Sequence, residues 1–452
     1  MVTMHTFFKS AFFNFEYLRL LAMAPHEGAE IGEALEAAAK IRDLDPESWF
    51  NAFLEAGNKA ECIAKEAEQA GDVVSARRAY LRSSNYLRAA QFMLNEGKIG
   101  QDRRVLATLE RAIGNFRKGV QYRAGKTFFL EIPFENGIKL PGYLYLPEAS
   151  RRIPGRKIPI LLNSGGGDST QEEIYFVNPA FGPDIGYAVV TFEGPGQGIV
   201  LRRDKLPMRP DWEVVTGAVL NHLFDFAASH PDLELDLDNI AVTGASMGGY
   251  FALRAAVDPR IKACVSVDGF YSLASFVGGR MPGPLFNGFM KGWLSDRTFN
   301  AILGFLQRLD FQARWEFNHL KWATNSTTEA EIMRSFGDYT LLKPDGTEYL
   351  ADVKCPTLVT GAGASWYFDP ATTTDKIYDC LTSLKDGVDK EKWIANDIAY
   401  GGLQAKIGAF GYSAQRTFQW LDMKFGIRRE TLNATSDLGS LVKNTAKNTS
   451  LL

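Results

Sequence analysis

Hydrophobic positions recur at helical spacing from residue 7 to about residue 123, and there the spacing changes. Residues 33–41 are rich in Ala and Glu, and Asp45-Pro46-Glu47-Ser48 is a helix-start signal ahead of Trp49. Asp72 stands where it can cap a helix carrying Val73, Tyr80, Ser84 and Leu87 near one face. No residue of this stretch is a convincing catalyst, so residues 1–123 read as a helical N-terminal domain. Beyond Lys126, residues 127–134 and 140–146 flank Glu135-Asn136-Gly137, the pattern of two antiparallel strands joined by a turn.

Six short, almost wholly apolar, β-rich runs follow, at 158–162, 187–192, 240–243, 263–267, 357–360 and 393–395, alternating with helical segments. Strands buried on both faces by crossover helices have this composition, which predicts an α/β domain over residues 124–427 with a mainly parallel, doubly wound sheet. Between the fourth and fifth runs lie about eighty residues, far more than the roughly 2–6 of an ordinary αβ connection. This insert, 270–350, carries Phe286, Trp293, Phe305, Trp315 and Trp322 and is expected to be a helical lid over a site. From residue 428 to 452 the chain turns polar and rich in Ser, Thr and Asn, the composition of a disordered tail.

Composition narrows the function. Fifty Lys and Arg stand against 53 Asp and Glu, a net charge of −3, so no basic excess invites nucleic acid. The most apolar N-terminal run, residues 6–24, is interrupted by Lys9, Glu16 and Arg19 and reads as a helix of a cytoplasmic protein without membrane contact, not as a signal peptide. The four cysteines lie far apart, with neither a disulfide framework nor a metal-ligand spacing.

The strongest chemical signal follows the run 240–243. Gly244-Ala245-Ser246-Met247-Gly248 leads into a helical segment, and a sharp strand-to-helix turn that exposes a serine needs glycine on both flanks because its neighbours pack too closely for Cβ atoms. An acyl-transfer site also needs backbone N–H groups aimed at developing negative charge. Asn163-Ser164-Gly165-Gly166-Gly167-Asp168, after the first run, is placed to supply them, so Gly166 or Gly167 with Met247 would form an oxyanion hole.

On these residues the chain resembles the α/β-hydrolase superfamily, in particular the group containing 2,6-dihydroxypseudooxynicotine hydrolase and the fungal polyketide-shortening hydrolases of pigment pathways. The resemblance is carried by the helical segment before the sheet, residues 168–173, 192–198 and 209–213, the elbow, and Gly401-Gly402-Leu403-Gln404. It implies a homodimeric, cofactor-free enzyme, without a metal, that cleaves a carbon–carbon bond next to a ketone in a small polyketide-derived molecule through Ser, His and Asp, with the site between helical domain and sheet.

The triad itself departs from that pattern. The fold's order is Ser, Asp or Glu, then His after the last strand. The five histidines are His5, His26, His222, His230 and His319, and the last 133 residues hold none. Leu403 or a neighbour stands where the base belongs, and residues 361–365, after the fifth run, hold no carboxylate; Asp369 is the nearest substitute. Asp268, after the fourth run, is either a displaced acid or plain Asp-Gly turn chemistry. His319, in the lid beside Trp315, is a candidate displaced base, whereas His222 and His230 read as structural. Tyr175, Tyr271 and Tyr367 each offer a phenol to substrate or mere packing, Trp315 is expected to face substrate, and Lys406 reads as a solvated cation. A serine without a proton acceptor is not an activated nucleophile. The leading expectation is therefore a non-hydrolytic enzyme that condenses, cyclises or dehydrates a ketone-containing intermediate. A C–C bond or ester hydrolase with a displaced base, and an inactive scaffold or binding protein, are the alternatives.

Overall fold

The computed structural model describes residues 5–429; most of the predicted tail, from 430 on, lies outside the described residues. Five helices precede the first strand: α1 (Ala11–Leu21), α2 (Ile31–Lys40), α3 (Pro46–Gln69), α4 (Val73–Phe92) and α5 (Arg103–Gln121). The starts read from Asp45 and Asp72 are real caps, and Ser10 and Asp102 cap α1 and α5 in the same way: each side chain accepts a hydrogen bond from a first-turn N–H. Trp49, Phe53, Phe13 and Tyr86 fill the core between these helices, and Trp315 and Trp322, from the insert, pack into the same core.

Strands β1 (Thr127–Pro133) and β2 (Lys139–Tyr145) form the expected antiparallel pair, joined by a turn in which Asn136 and Gly137 both have positive φ. Six further strands complete one sheet: β3 (Ile158–Ser164), β4 (Ala188–Phe192), β5 (Leu235–Ala245), β6 (Ile261–Val267), β7 (Thr357–Ala362) and β8 (Lys390–Ala395). The order is β1-β2-β4-β3-β5-β6-β7-β8, antiparallel through β4 and parallel from there on. β3 and β4 are buried at every position, as strands with helices on both faces must be. The crossovers include the single turn α6 (Gln171–Ile174), α7 (Trp212–Ser229) and α8 (Met247–Ala255).

Five helices connect β6 to β7: α9 (Leu273–Arg280), α10 (Gly283–Met290), α11 (Asp296–Leu309), α12 (Phe311–Thr324) and α13 (Glu329–Ser335). α14 (Thr374–Cys380) then leads into β8, and α15 (Phe410–Lys424) closes the sheet domain. Among the described residues no helix is long and apolar enough to cross a membrane.

Candidate active site

Ser246 joins β5 to α8 at φ 57° and ψ −118°, a conformation that L-residues avoid and that surrounding contacts must impose. Its own N–H is tied to Val267 O at 2.8 Å. A Cβ on Gly244 would lie 2.3 Å from Gly248 O, and one on Gly248 would lie 2.9 Å from Gly165 O, so the turn closes only with glycine at both places. The elbow opens into a cavity of about 590 Å³ walled by α1, the loop after β3, the insert helices and the segment after β8. Phe276, Leu285, Leu306, Phe317 and Leu320 make its insert side apolar.

Gly166, Gly167 and Met247 line this cavity with Ser246. One side chain sets the direction of the glycine peptides: Gln197 Nε2 donates to Gly165 O at 2.8 Å and to Gly166 O at 2.9 Å. A trans peptide points its N–H opposite to its C=O, so the N–H groups of Gly166 and Gly167 are turned away from Gln197. Gln197 is held in turn by Gly194 N–H, which donates to its Oε1 at 2.9 Å. Met247 is the first residue of α8, where an N–H has no intrahelical partner.

His319 also lines the cavity, stacked on Trp315 with ring centroids 5.3 Å apart. Its Nε2 lies 3.0 Å from Gly167 O, an atom that only accepts, so Nε2 carries the proton. Burial lowers the imidazole pKa and keeps the ring neutral, with a lone pair on Nδ1. Trp315 is anchored by its indole N–H on Phe92 O at 2.9 Å, and Tyr367, on the wall, accepts from Gln312.

Other sequence candidates lie elsewhere. Asp369 is exposed, outside the cavity, and accepts from Ala371 N–H in its own turn; chain proximity to β7 misled. Tyr175 is buried among Phe116, Tyr145 and Phe176 away from the cavity, and Tyr271 donates to Glu348 outside it. Asp268 is buried behind the wall, its Oδ1 shared by Lys406 Nζ at 2.8 Å and Thr360 Oγ1 at 2.8 Å. Lys406 is thus the reverse of a solvated cation: fully buried, it also donates to Gly361 O and lies over the Trp393 ring. Gln404 bonds Asp268 O and Ser365, and Gln404 and Ala405, next to buried Leu403, line the cavity in the segment after β8.

The sequence reading passed over the densest polar group of the site. Arg19, from α1, donates through Nη2 to Glu173 at 2.7 Å and through Nε to the same carboxylate, and holds Asp168 at 3.3 Å through two nitrogens. Glu16, one turn earlier, touches Arg19 Nη1 at 3.3 Å, and Arg88 of α4 stands 3.6 Å from Glu173. Burial alone would raise the Asp168 carboxyl, but Arg19, which is also hydrogen-bonded to it, and Arg88 outweigh it and hold the pKa below the usual range. For Glu16 the balance is reversed: burial, with Asp168 and Glu173 nearby, outweighs Arg19 and Arg88 and pushes it up to about 8. On the insert, Glu316 is likewise raised by burial, with Arg280 3.8 Å away. Among the described residues no three His, Cys, Asp or Glu side chains are grouped as a metal ion requires.

A parallel sheet with a strained serine elbow and a glycine loop facing it defines the α/β-hydrolase class, and the chain belongs to that family: residues 160–387 match the model of the alpha/beta hydrolase family. It is 82% identical to alpha/beta hydrolase psoB of Aspergillus fumigatus over 98% of this chain and 99% of that one. Hydrolyase poxO of Penicillium oxalicum is 48% identical over 94% and 100%, and 20-hydroxy-prefusarin hydrolase FUS2 of Gibberella moniliformis 46% over 95% and 100%. Among solved structures, 2,6-dihydroxy-pseudo-oxynicotine hydrolase superposes with a TM-score of 0.65 at 21% identity, covering 91% of this chain and 97% of that one, which is a likeness of fold.

Proposed function

We propose that this α/β-hydrolase-fold enzyme serves secondary metabolism and converts a ketone-containing, polyketide-type intermediate by a non-hydrolytic route. The substrate carbonyl sits against Ser246 and accepts from the N–H groups of Met247 and of Gly166 or Gly167. Donors so placed stabilise an enolate as well as a tetrahedral oxyanion, and an enolate leads to condensation, cyclisation or loss of water. The serine orients the carbonyl and does not attack it. The reading is carried by the triad's expected places: residues 361–365 after β7 hold no carboxylate, the displaced candidate Asp268 is paired with buried Lys406, and Gln404 and Ala405 face the cavity after β8 in place of an imidazole. The apolar wall suits a molecule without charge over most of its length. The enzyme acts as a homodimer, as the family resemblance implies, and in the cytoplasm, a reading supported by the charges that interrupt residues 6–24.

A second reading has one specific observation behind it. Neutral His319 lines the same cavity with a lone pair on Nδ1, the form a displaced general base requires, so ester or C–C hydrolysis is the alternative. Isotopic water separates the two. A strain lacking the gene accumulates the substrate, and its turnover by purified enzyme in H₂¹⁸O is read by mass spectrometry. Product that gains no ¹⁸O through bond cleavage is expected; an ¹⁸O-labelled carboxylic acid establishes hydrolysis instead.

A further inference from the structure

The non-hydrolytic reading needs a group that removes a proton from carbon, and α1 brings one to the cavity. Glu16 lines the wall shared with Ser246, Gly166 and Gly167, yet is only 4% exposed. Its Oε2 has a single long contact, to Arg19 Nη1 at 3.3 Å, and its Oε1 meets no donor among the described residues. Every charged neighbour is accounted for: Arg19 on the same helix, Arg88 from α4, Asp168 and Glu173 from the loop after β3 and from α6. Tyr367 is the remaining titratable group facing it, from the segment after β7.

Counting charges decides which member keeps a proton. Three carboxylates share two guanidinium groups in a buried site, so full ionisation would leave one uncompensated negative charge there. Glu173 takes two bonds from Arg19 and lies against Arg88, and Asp168 takes two more from Arg19. Glu16, with the weakest contact, holds the proton. Burial places its pKa at about 8, so it passes between acid and base near neutrality.

We infer that Glu16 is the proton-transfer group of this pocket, acting on the carbon next to the substrate ketone; the inference rests on the enolate reading above. In the forward step Oε1 takes the α-proton, the C–H electron pair becomes the C=C bond of the enolate, and the carbonyl π pair moves onto oxygen, which accepts from the oxyanion N–H groups. When the enolate carbon adds to a second carbonyl, that carbonyl's oxygen takes the proton back from Glu16, and the carboxylate is restored with no other reagent consumed. Asp168 directly follows Gly167 and is bound to Arg19, so the same cluster that tunes Glu16 also holds the end of the oxyanion loop.

The probe is phenylacetone, an apolar monoketone, in D₂O, with loss of its benzylic protons followed by NMR. The intact enzyme is expected to accelerate exchange above the buffer rate, with a rate that rises with pH and levels off above about 8. Glu16→Gln is expected to lose roughly 100-fold or more of that acceleration, and Glu16→Asp to recover part of it. Infrared difference spectra across the same pH range should show a protonated carboxyl that titrates in the wild type and is missing from Glu16→Gln. Burial also raises Glu193 to about 8, so should the Gln variant fail to fold, Glu16→Asp decides: a carboxyl band that moves in that variant supports the assignment, and carboxyl bands unchanged from wild type overturn it. Exchange that persists in a folded Glu16→Gln protein overturns Glu16 and leaves the enolate reading standing. No exchange by the wild type overturns both.

Discussion

Ser246 and Gly166 line the same cavity, but the proposed reaction asks different things of them. If the N–H groups do the stabilising, Ser246→Ala keeps part of the activity, whereas Gly166→Pro removes a donor, strains the loop and abolishes turnover. One lost oxyanion donor is typically worth about 3–4 kcal/mol, on the order of 100- to 1000-fold in kcat. Initial rates on the accumulated substrate check the pair, and complete loss in a folded Ser246→Ala protein indicates covalent catalysis instead. Gln197 fixes the glycine peptides from behind and was invisible in the sequence, because nothing in Gly194-Pro195-Gly196-Gln197 says which carbonyls its amide will meet. The elbow was legible for the opposite reason: its constraint is local, and two glycines within two residues of a serine record it.

α1 illustrates why the remainder of the site could not be read. Glu16 and Arg19 break an apolar run, and in a lone helix the bland meaning of such charges is a solvated face. Here that face is the cavity wall, and the partners of Arg19 lie about 150 residues further on, at Asp168 and Glu173. Only the packing of helical layer against sheet makes the charges chemical. The useful signal was the lone Arg three residues after a Glu amid Phe, Tyr and Leu, since such charges are buried only when paired. A stability prediction follows from the helix. The pKa of Glu16 is raised in the folded protein to about 8 from the ordinary 4.5, so its proton-bound form favours folding below 4.5 and that contribution is lost as pH rises through 8. Glu16→Gln, neutral throughout, should match wild type in Tm near pH 4.5 and exceed it by pH 8–9. The ceiling on that gain is about 5 kcal/mol, from roughly 1.4 kcal/mol per pH unit, and thermal melts across the range read it.

At the scale of the whole molecule, the eight strands and the insert between β6 and β7 follow the pattern of apolar runs closely, because a strand buried on both faces leaves the chain little compositional choice. The pattern was silent on how the five N-terminal helices meet the sheet, which depends on side chains rather than on periodicity. That junction is where Arg19 sits, its guanidinium bound to two carboxylates across the seam, with Trp315 anchored on Phe92 O from the other side. The consequence concerns cooperativity. A helical layer that parted from the sheet would give up the Arg19 ion pairs with buried Glu173 and half-buried Asp168, so the partly opened form is penalised and the two layers should melt together. Calorimetry is expected to give one transition with equal calorimetric and van't Hoff enthalpies per cooperative unit, and Arg19→Met to split it in two, the helical layer melting first.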